Sequence, residues 1–269
     1  MSINETVMEM HFHRPLLDLF RETLGLGKGS FNFYKYSTQK ECFLGFDQAF
    51  AQTELSEDQL FQKLKTSAMN VGYNLGNFFL SYFLQFKVVK VIRRRARHTP
   101  NMIRSRPHYR ISIDSQKNIN TGLSQHELLY NLNQNIGAMV YYACPMLFDR
   151  AELYKEPPNL DLLRLADLQD CPSIYSDNES HFVYFDDVDS EPIWCSEPVE
   201  GKAITPEQLV KKILLQIESG DVYQSQLKLL EHLGQTNELS AGLESKRLLD
   251  LVEDSLMIVH WTQAEAITQ

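Results

Sequence analysis

Cysteine is the first thing in short supply: Cys42, Cys144, Cys171 and Cys195 are the only four, widely scattered and without a C-x-x-C pair. That spacing suits neither a structural zinc site nor a disulfide-dense secreted fold, so reduced, partly buried thiols are expected. Long apolar runs are lacking too. The most apolar stretch, Leu75 to Ile92, is interrupted by Asn77, Gln85, Lys87 and Lys90, whereas a membrane helix needs roughly 18 or more residues with few or no charges. Met1-Ser2-Ile3-Asn4-Glu5 lacks the basic start and apolar run of a secretory signal, so a cytoplasmic protein with no membrane partner is expected. Neither a G-x-S-x-G elbow nor a dinucleotide glycine pattern is present, which leaves serine-hydrolase and Rossmann chemistry unsupported. In Gly25-Leu26-Gly27-Lys28-Gly29-Ser30, Gly29 separates the lysine from the serine, and the order is helix, glycines, strand. That stretch reads as a turn rather than a phosphate loop.

One segment also lacks acid. The net charge is −9, yet nine of the 26 Lys and Arg residues and none of the 35 acidic ones lie between Lys87 and Arg110. The nine are Lys87, Lys90, Arg93, Arg94, Arg95, Arg97, Arg104, Arg106 and Arg110. Such segregation focuses a positive field on an otherwise anionic chain and suits a polyanion such as DNA, the competing reading being a solvated arginine loop between strands.

What remains is an ordinary globular composition. With 43% hydrophobic and 11% aromatic residues over 269 positions, the chain can bury a sizeable core. Apolar spacing over 15–24 predicts a helix with Pro15 near its start. Aromatic-rich segments at 31–36 and 41–47, joined by a short polar turn, predict a hairpin. Capping-box patterns at Ser56, Ser124 and Thr205 open three more predicted helices. Strands are predicted at 80–92, 109–113, 138–143 and 181–185, and a short helical run near 160–168. Periodic segments 209–217, 223–233 and 243–259 predict a helical C-terminal section. The expected division is an α/β domain over 1–200 and a helical appendage over 201–269.

Side chains alternate across a strand, so Glu41, Phe43, Gly45 and Asp47 share one face while Cys42, Leu44 and Phe46 point into a core. On the later strand Leu84, Phe86 and Val88 take the core face, leaving Gln85 and Lys87 on the other. Were the two strands to pair, Asp47, Gln85 and Lys87 would converge at one edge. Phosphodiester hydrolysis needs such a set: oxygen ligands for a hard cation, and an ammonium to orient water or offset developing charge. Asp47 would be the principal ligand of Mg²⁺ or Mn²⁺ and Gln85, through its amide oxygen, a weaker one.

With these residues the chain resembles the PD-(D/E)xK nuclease superfamily, whose restriction-endonuclease-like core runs helix, three strands, helix, strand. The resemblance covers about residues 10 to 150. It maps the family's second-strand acid to Asp47 and its D/E-x-K triplet to Gln85-Phe86-Lys87, and some members' first-helix acid to Glu22. Gln85 stands in place of the acid, leaving one anionic ligand fewer, and the link between second and third strands is expanded by a helix. The resemblance implies a mixed central sheet flanked by helices. It also implies a metal-dependent nuclease acting on DNA, of the kind found in bacterial antiviral defence or DNA processing. Glu41 joins the candidate catalytic set. Lys90, Arg93, Arg94, Arg95, Arg97, Arg104 and Arg106 form the candidate DNA grip.

Two alternatives come from other classes: a catalytically silent nuclease-like module that binds nucleic acid, and a subunit that meets a partner protein or a second copy through its C-terminal helices. The His11-x-His13 pair, the acidic run around Asp186, Asp187, Asp189 and Glu191, and Gln125-His126 at a helix start are weaker candidates. Packing or capping explains the first, and a solvated loop the second.

Overall fold

A computed structural model describes residues 3–23, 32–34, 48–51, 56–70, 81–96, 99–134, 138–155, 157–172, 179–195 and 198–218. Helix α1 (Glu5–Thr23) is followed by β1 (Asn32–Tyr34), β2 (Gln48–Ala51) and α2 (Glu57–Met69). Next come β3 (Ser81–Phe86), β4 (Lys90–Ile92), β5 (His108–Ile113), α3 (Gln125–Asn133) and β6 (Ala138–Pro145). Strands β7 (Leu163–Asp167), β8 (His181–Phe185), β9 (Pro192–Cys195), β10 (Val199–Glu200) and β11 (Ala203–Ile204) precede α4 (Pro206–Glu218). The chain is a mixed α/β protein with two sheets. Among the described residues no helix is long and apolar enough to cross a membrane.

Helix α1 begins ten residues before the predicted start and carries Pro15 in its interior. Met8, Phe12, Leu16 and Phe20 recur every fourth residue and form its buried stripe, and Pro15 lies outside that stripe. A ring that removes one helical hydrogen bond is tolerated where the apolar face continues across it. The three capping boxes form as their sequences require. Ser124 Oγ accepts from Glu127 N–H at 3.0 Å while Ser124 N–H donates to Glu127 Oε2 at 2.6 Å. Ser56 with Gln59 and Thr205 with Gln208 repeat the arrangement.

The first sheet has the order β1-β2-β3-β6-β7-β11. Strands β3 and β6 run parallel, with Ser81 opposite Ala138 and Phe86 opposite Ala143, and all other pairs are antiparallel. Both faces of this sheet are covered. Leu84, Phe86 and Tyr141 pack with Phe12, Leu16 and Phe20 of α1 and Leu209, Val210 and Ile213 of α4. On the other side Phe83, Val140 and Tyr142 meet Leu60 and Leu64 of α2 and Leu129 and Leu132 of α3. The sequence reading assigned a single core face to β3. The buried run Phe83-Leu84-Gln85-Phe86 instead marks a central strand covered on both sides.

The predicted long strand 80–92 is divided between two sheets. Lys87 N–H still donates to Ala143 O at 2.9 Å, extending the β3–β6 ladder by one residue. Past Val88 and Val89 the chain pairs as β4 with β5. The second sheet, β10-β9-β8-β5-β4, is antiparallel throughout. Its inner face, with Ile111, Ile113, Val183, Phe185 and Trp194, joins the core under α2 and α3. Gly201 approaches this layer so closely that a Cβ there would lie 2.5 Å from Trp194 Nε1, which excludes any larger residue without a shift.

Residues 160–168, expected to be helical, form the short 3-10 turn Leu160–Leu162 and then strand β7. Leu163, Leu165 and Ala166 are buried because β7 lies between β6 and β11, and that pairing overrides a weak local helical pattern. Residues 203–218, which the sequence assigns to the start of a helical appendage, add β11 and the α1-facing helix α4 to the main sheet layer. The predicted helices at 223–233 and 243–259 lie outside the described residues.

Candidate functional site

Strand β3 delivers Gln85 and Lys87 to the carboxyl end of the parallel β3–β6 pair, and the capped start of α3 delivers Gln125 to the same point. A side-chain chain of hydrogen bonds joins the three. Lys87 Nζ donates to Gln125 Oε1 at 2.6 Å, Gln125 Nε2 donates to Gln85 Oε1 at 3.1 Å, and Gln85 Nε2 donates to Phe86 O at 3.1 Å. Gln85 is buried, with 2% of its surface exposed. A buried amide costs free energy unless bonded, and this relay meets that requirement. Gln85 and Tyr142 occupy the same register position on β3 and β6, and the Tyr142 ring lies 6.0 Å from Lys87 Nζ. The gap is typical of a cation above an aromatic face.

Behind Tyr142 the polar chain continues inward. The Tyr142 hydroxyl lies 2.8 Å from His126 Nδ1, and Cys171 Sγ lies 3.7 Å from His126 Nε2. His126, in the first turn of α3, is fully buried. Cys144 and Cys171 are buried thiols that form no disulfide, and Cys195 is half-buried. Burial pushes the Cys144 thiol far above its ordinary value and moves Cys195 the same way, which keeps both protonated and unreactive. Cys42 lies outside the described residues.

Lys87 opens onto a cleft of about 860 Å³ whose walls include Lys90, Ser112, Asp114, His181 and Phe182. Glu22 lies elsewhere. It is exposed near the C-terminal end of α1 and lines a separate cleft of about 830 Å³ with Arg14, Asp18, Pro157 and Glu207. Asp47 and Glu41 lie outside the described residues, although Asp47 is bonded to Gln48, whose Cα is paired with that of Leu84. Among the described residues no group of three or more His, Cys, Asp or Glu side chains is arranged to hold a metal. Gln85 Oε1 is the one hard-oxygen donor of the predicted ligand pair within the described residues.

The basic segment lies beside this cleft. Lys90, Arg93, Arg94, Arg95, Arg104 and Arg106 are exposed, and Arg97 lies outside the described residues. Arg95 Nη2 donates to Asn101 Oδ1 at 2.7 Å and to Pro100 O at 3.2 Å, shaping the loop after β4. Asp186 anchors that loop: Oδ1 accepts from Arg104 N–H and Ser105 N–H, each at 2.7 Å, and Oδ2 accepts from the Ser105 hydroxyl at 3.1 Å. Burial pushes the Asp186 carboxyl up. The Ser105 and Arg104 N–H groups, the Ser105 hydroxyl and nearby His108 outweigh it and hold the group below its ordinary value.

Three contributors have roles that sequence spacing does not assign. Gln125 is a weaker candidate at a helix start in the sequence, and its partners become apparent once α3 is set over β3. Tyr142 reads as core because the run Met139-Val140-Tyr141-Tyr142 is uniformly apolar. Asp186 reads as part of a solvated acidic loop, and its role depends on contact with residues about 80 positions away. No family model, curated protein or solved structure matches this chain.

Proposed function

We propose that the chain is a metal-dependent nuclease of restriction-endonuclease-like fold that hydrolyses DNA phosphodiester bonds. The observation that carries this reading is the meeting of Gln85, Lys87 and Gln125 at the carboxyl end of a parallel strand pair, beside a cleft. Open α/β sheets bind ligands at that end. The element order supports it: α1, then β1, β2 and β3, then α3 and β6, with α2 inserted before β3 and β4–β5 inserted after it. Asp47 immediately precedes Gln48 in the sequence, and Gln48 is paired with the strand that bears Gln85.

In this reading Asp47 and the Gln85 amide oxygen hold Mg²⁺ or Mn²⁺, which when bound polarises the scissile phosphate and acidifies a water. Gln125 fixes the Lys87 ammonium, which orients the attacking water or offsets charge developing on the phosphate. The exposed arginines after β4 grip neighbouring phosphates. A place in bacterial defence or DNA processing rests on analogy of fold.

The test is cleavage of plasmid and linear DNA by the full chain with Mg²⁺, Mn²⁺ or chelator. Wild type cuts only with metal, and Asp47→Ala reduces the rate at least about a hundredfold with an unchanged melting transition. A wild-type protein that cuts no DNA with either metal sinks the hydrolase. One observation favours a second reading, a catalytically silent DNA-binding module: Gln85 is neutral where an acid is expected, and its amide is hydrogen-bonded through both oxygen and nitrogen. That module would bind DNA in a salt-dependent way without cutting it.

A further inference from the structure

We infer that the outer face of the second sheet is a stacking platform for single-stranded DNA that leads a strand to Lys87. This inference rests on the nuclease reading and names its substrate class. Cross-strand register puts Lys90, Arg110 and Tyr184 in one row of that face and Ser112, Phe182 and Cys195 in the next. At one end the face is closed by Ile103, which packs on Tyr184 and Ile193. At the other end it is open, and Lys90, Ser112 and Phe182 line the cleft that also holds Lys87.

Three features of the open end point to a nucleic-acid strand. The Arg110 guanidinium lies 4.3 Å from the Phe182 ring centroid, a flat cationic and aromatic pair of the kind on which bases stack. Arg110 Nε is buried without an acceptor, one of several such side-chain groups among the described residues, and it lies on this face. Lys87, Lys90 and Arg110 have no carboxylate partner, since the ion pairs among the described residues lie elsewhere. Cations without a carboxylate partner near the β4 edge suit a phosphate backbone, while stacking on Arg110 and Phe182 needs a base whose π-face is free. A duplex keeps its bases stacked on one another, so this face selects a single strand. Glu5, Asp114 and Glu179 line the same cleft and repel phosphate. They favour a strand that turns its backbone to the lysines and its base edges, with ring or amino N–H donors such as thymine N3–H, to the carboxylates.

Binding of fluorescein-labelled oligo(dT) and of a labelled duplex by the full chain, both in chelator, tests this without cleavage. Phe182→Leu keeps an apolar side chain in the sheet and removes the ring. It is expected to weaken oligo(dT) binding about tenfold to a hundredfold while duplex affinity stays within about twofold. Lys90→Gln lowers the salt slope for oligo(dT) by about 0.7. If Phe182→Leu leaves oligo(dT) affinity unchanged, weakens both probes alike, or oligo(rU) binds more tightly than oligo(dT), the platform is overturned. Cleavage of duplex with no effect of Phe182→Leu keeps the nuclease and removes the platform. Binding that depends on Phe182 in a protein that never cuts keeps the platform and removes the nuclease.

Discussion

Lys87 and Lys90 are three residues apart on one extended segment, yet their ammonium groups meet opposite fates. Lys87, where the chain leaves the first sheet, is bound to Gln125, which is bound to Gln85. Lys90, where the chain enters the second sheet, is exposed and has no partner among the described residues. Groups already held in place resemble a site organised before its ligand arrives, because no ordering remains to be done at the moment of reaction. Unpaired exposed cations resemble a surface that gains its partners from the ligand, with affinity that salt erodes. On the proposed function, the crossover between sheets would separate positioning from gripping within one continuous segment.

The sharpest way to break that contrast is to exchange the effects. Lys87→Ala is expected to lower the DNA cleavage rate about a hundredfold to a thousandfold with little change in DNA affinity. Arg94→Gln should lower affinity and leave the rate at saturating DNA within about threefold. Rate and affinity measured on both variants decide it, and a Lys87→Ala protein that loses affinity alone would place Lys87 in the grip.

Stability should divide the same way. Gln125→Leu removes the acceptor of Lys87 and the donor to buried Gln85, so urea unfolding should show a loss of about 1–3 kcal/mol. Lys90→Leu removes no hydrogen bond and should change stability by no more than about 0.5 kcal/mol. Equal costs at the two positions would mean that the relay does not order the sheet junction.

The grip should reveal itself in salt. Replacing Arg93, Arg94 and Arg95 together by Gln should reduce the salt slope for duplex binding by about 2 to 3, roughly one released counterion per lost phosphate contact. Thermal stability should be nearly unaffected, because all three are exposed. A slope that does not move would assign the segment to shaping the loop, as Arg95 does through Asn101 and Pro100.

What was legible in the sequence follows the same divide. Capping boxes at Ser56, Ser124 and Thr205 declare helix starts because both partners lie within four residues. Strand β8 is bounded at its predicted residues, and the acid-free run from Lys87 to Arg110 is visible by inspection. Three features were hidden for want of local cause. The split of 80–92 depends on β6 and β5 competing for one segment, and strand β7 on a slot between β6 and β11. The third is the association of Gln125 with Gln85, 40 positions apart, which requires α3 to cross the sheet first. The sequence predicts α1 short because Pro15 looks like a start, although its i, i+4 stripe begins at Met8.

The smallest expected effect concerns the anchor that joins the basic loop to the second sheet. Burial pushes the His108 imidazole below its ordinary value of 6.5, against the Ser105 backbone and Asp186, while Arg110 and Arg106 push it further down. A group that binds its proton more weakly in the fold contributes stability above its unfolded pKa and loses it as pH falls toward the folded value. Loosening through His108 should therefore begin below about pH 6.5. Asp186, also held below its ordinary 3.8, keeps its bonds to Arg104 and Ser105 until the pH falls beneath that value. Two acid limbs are expected in the hydrogen-exchange protection of the Arg104 and Ser105 amides, once the intrinsic exchange rate is removed. Asp186→Asn should abolish the lower limb and reduce protection at neutral pH by at most about fivefold, near 1 kcal/mol, because Asn keeps an oxygen acceptor and solvent screens the half-exposed site. Protection that stays flat from neutral pH to pH 3 in wild type would mean that the loop is held by its turn at Arg95 and not by Asp186.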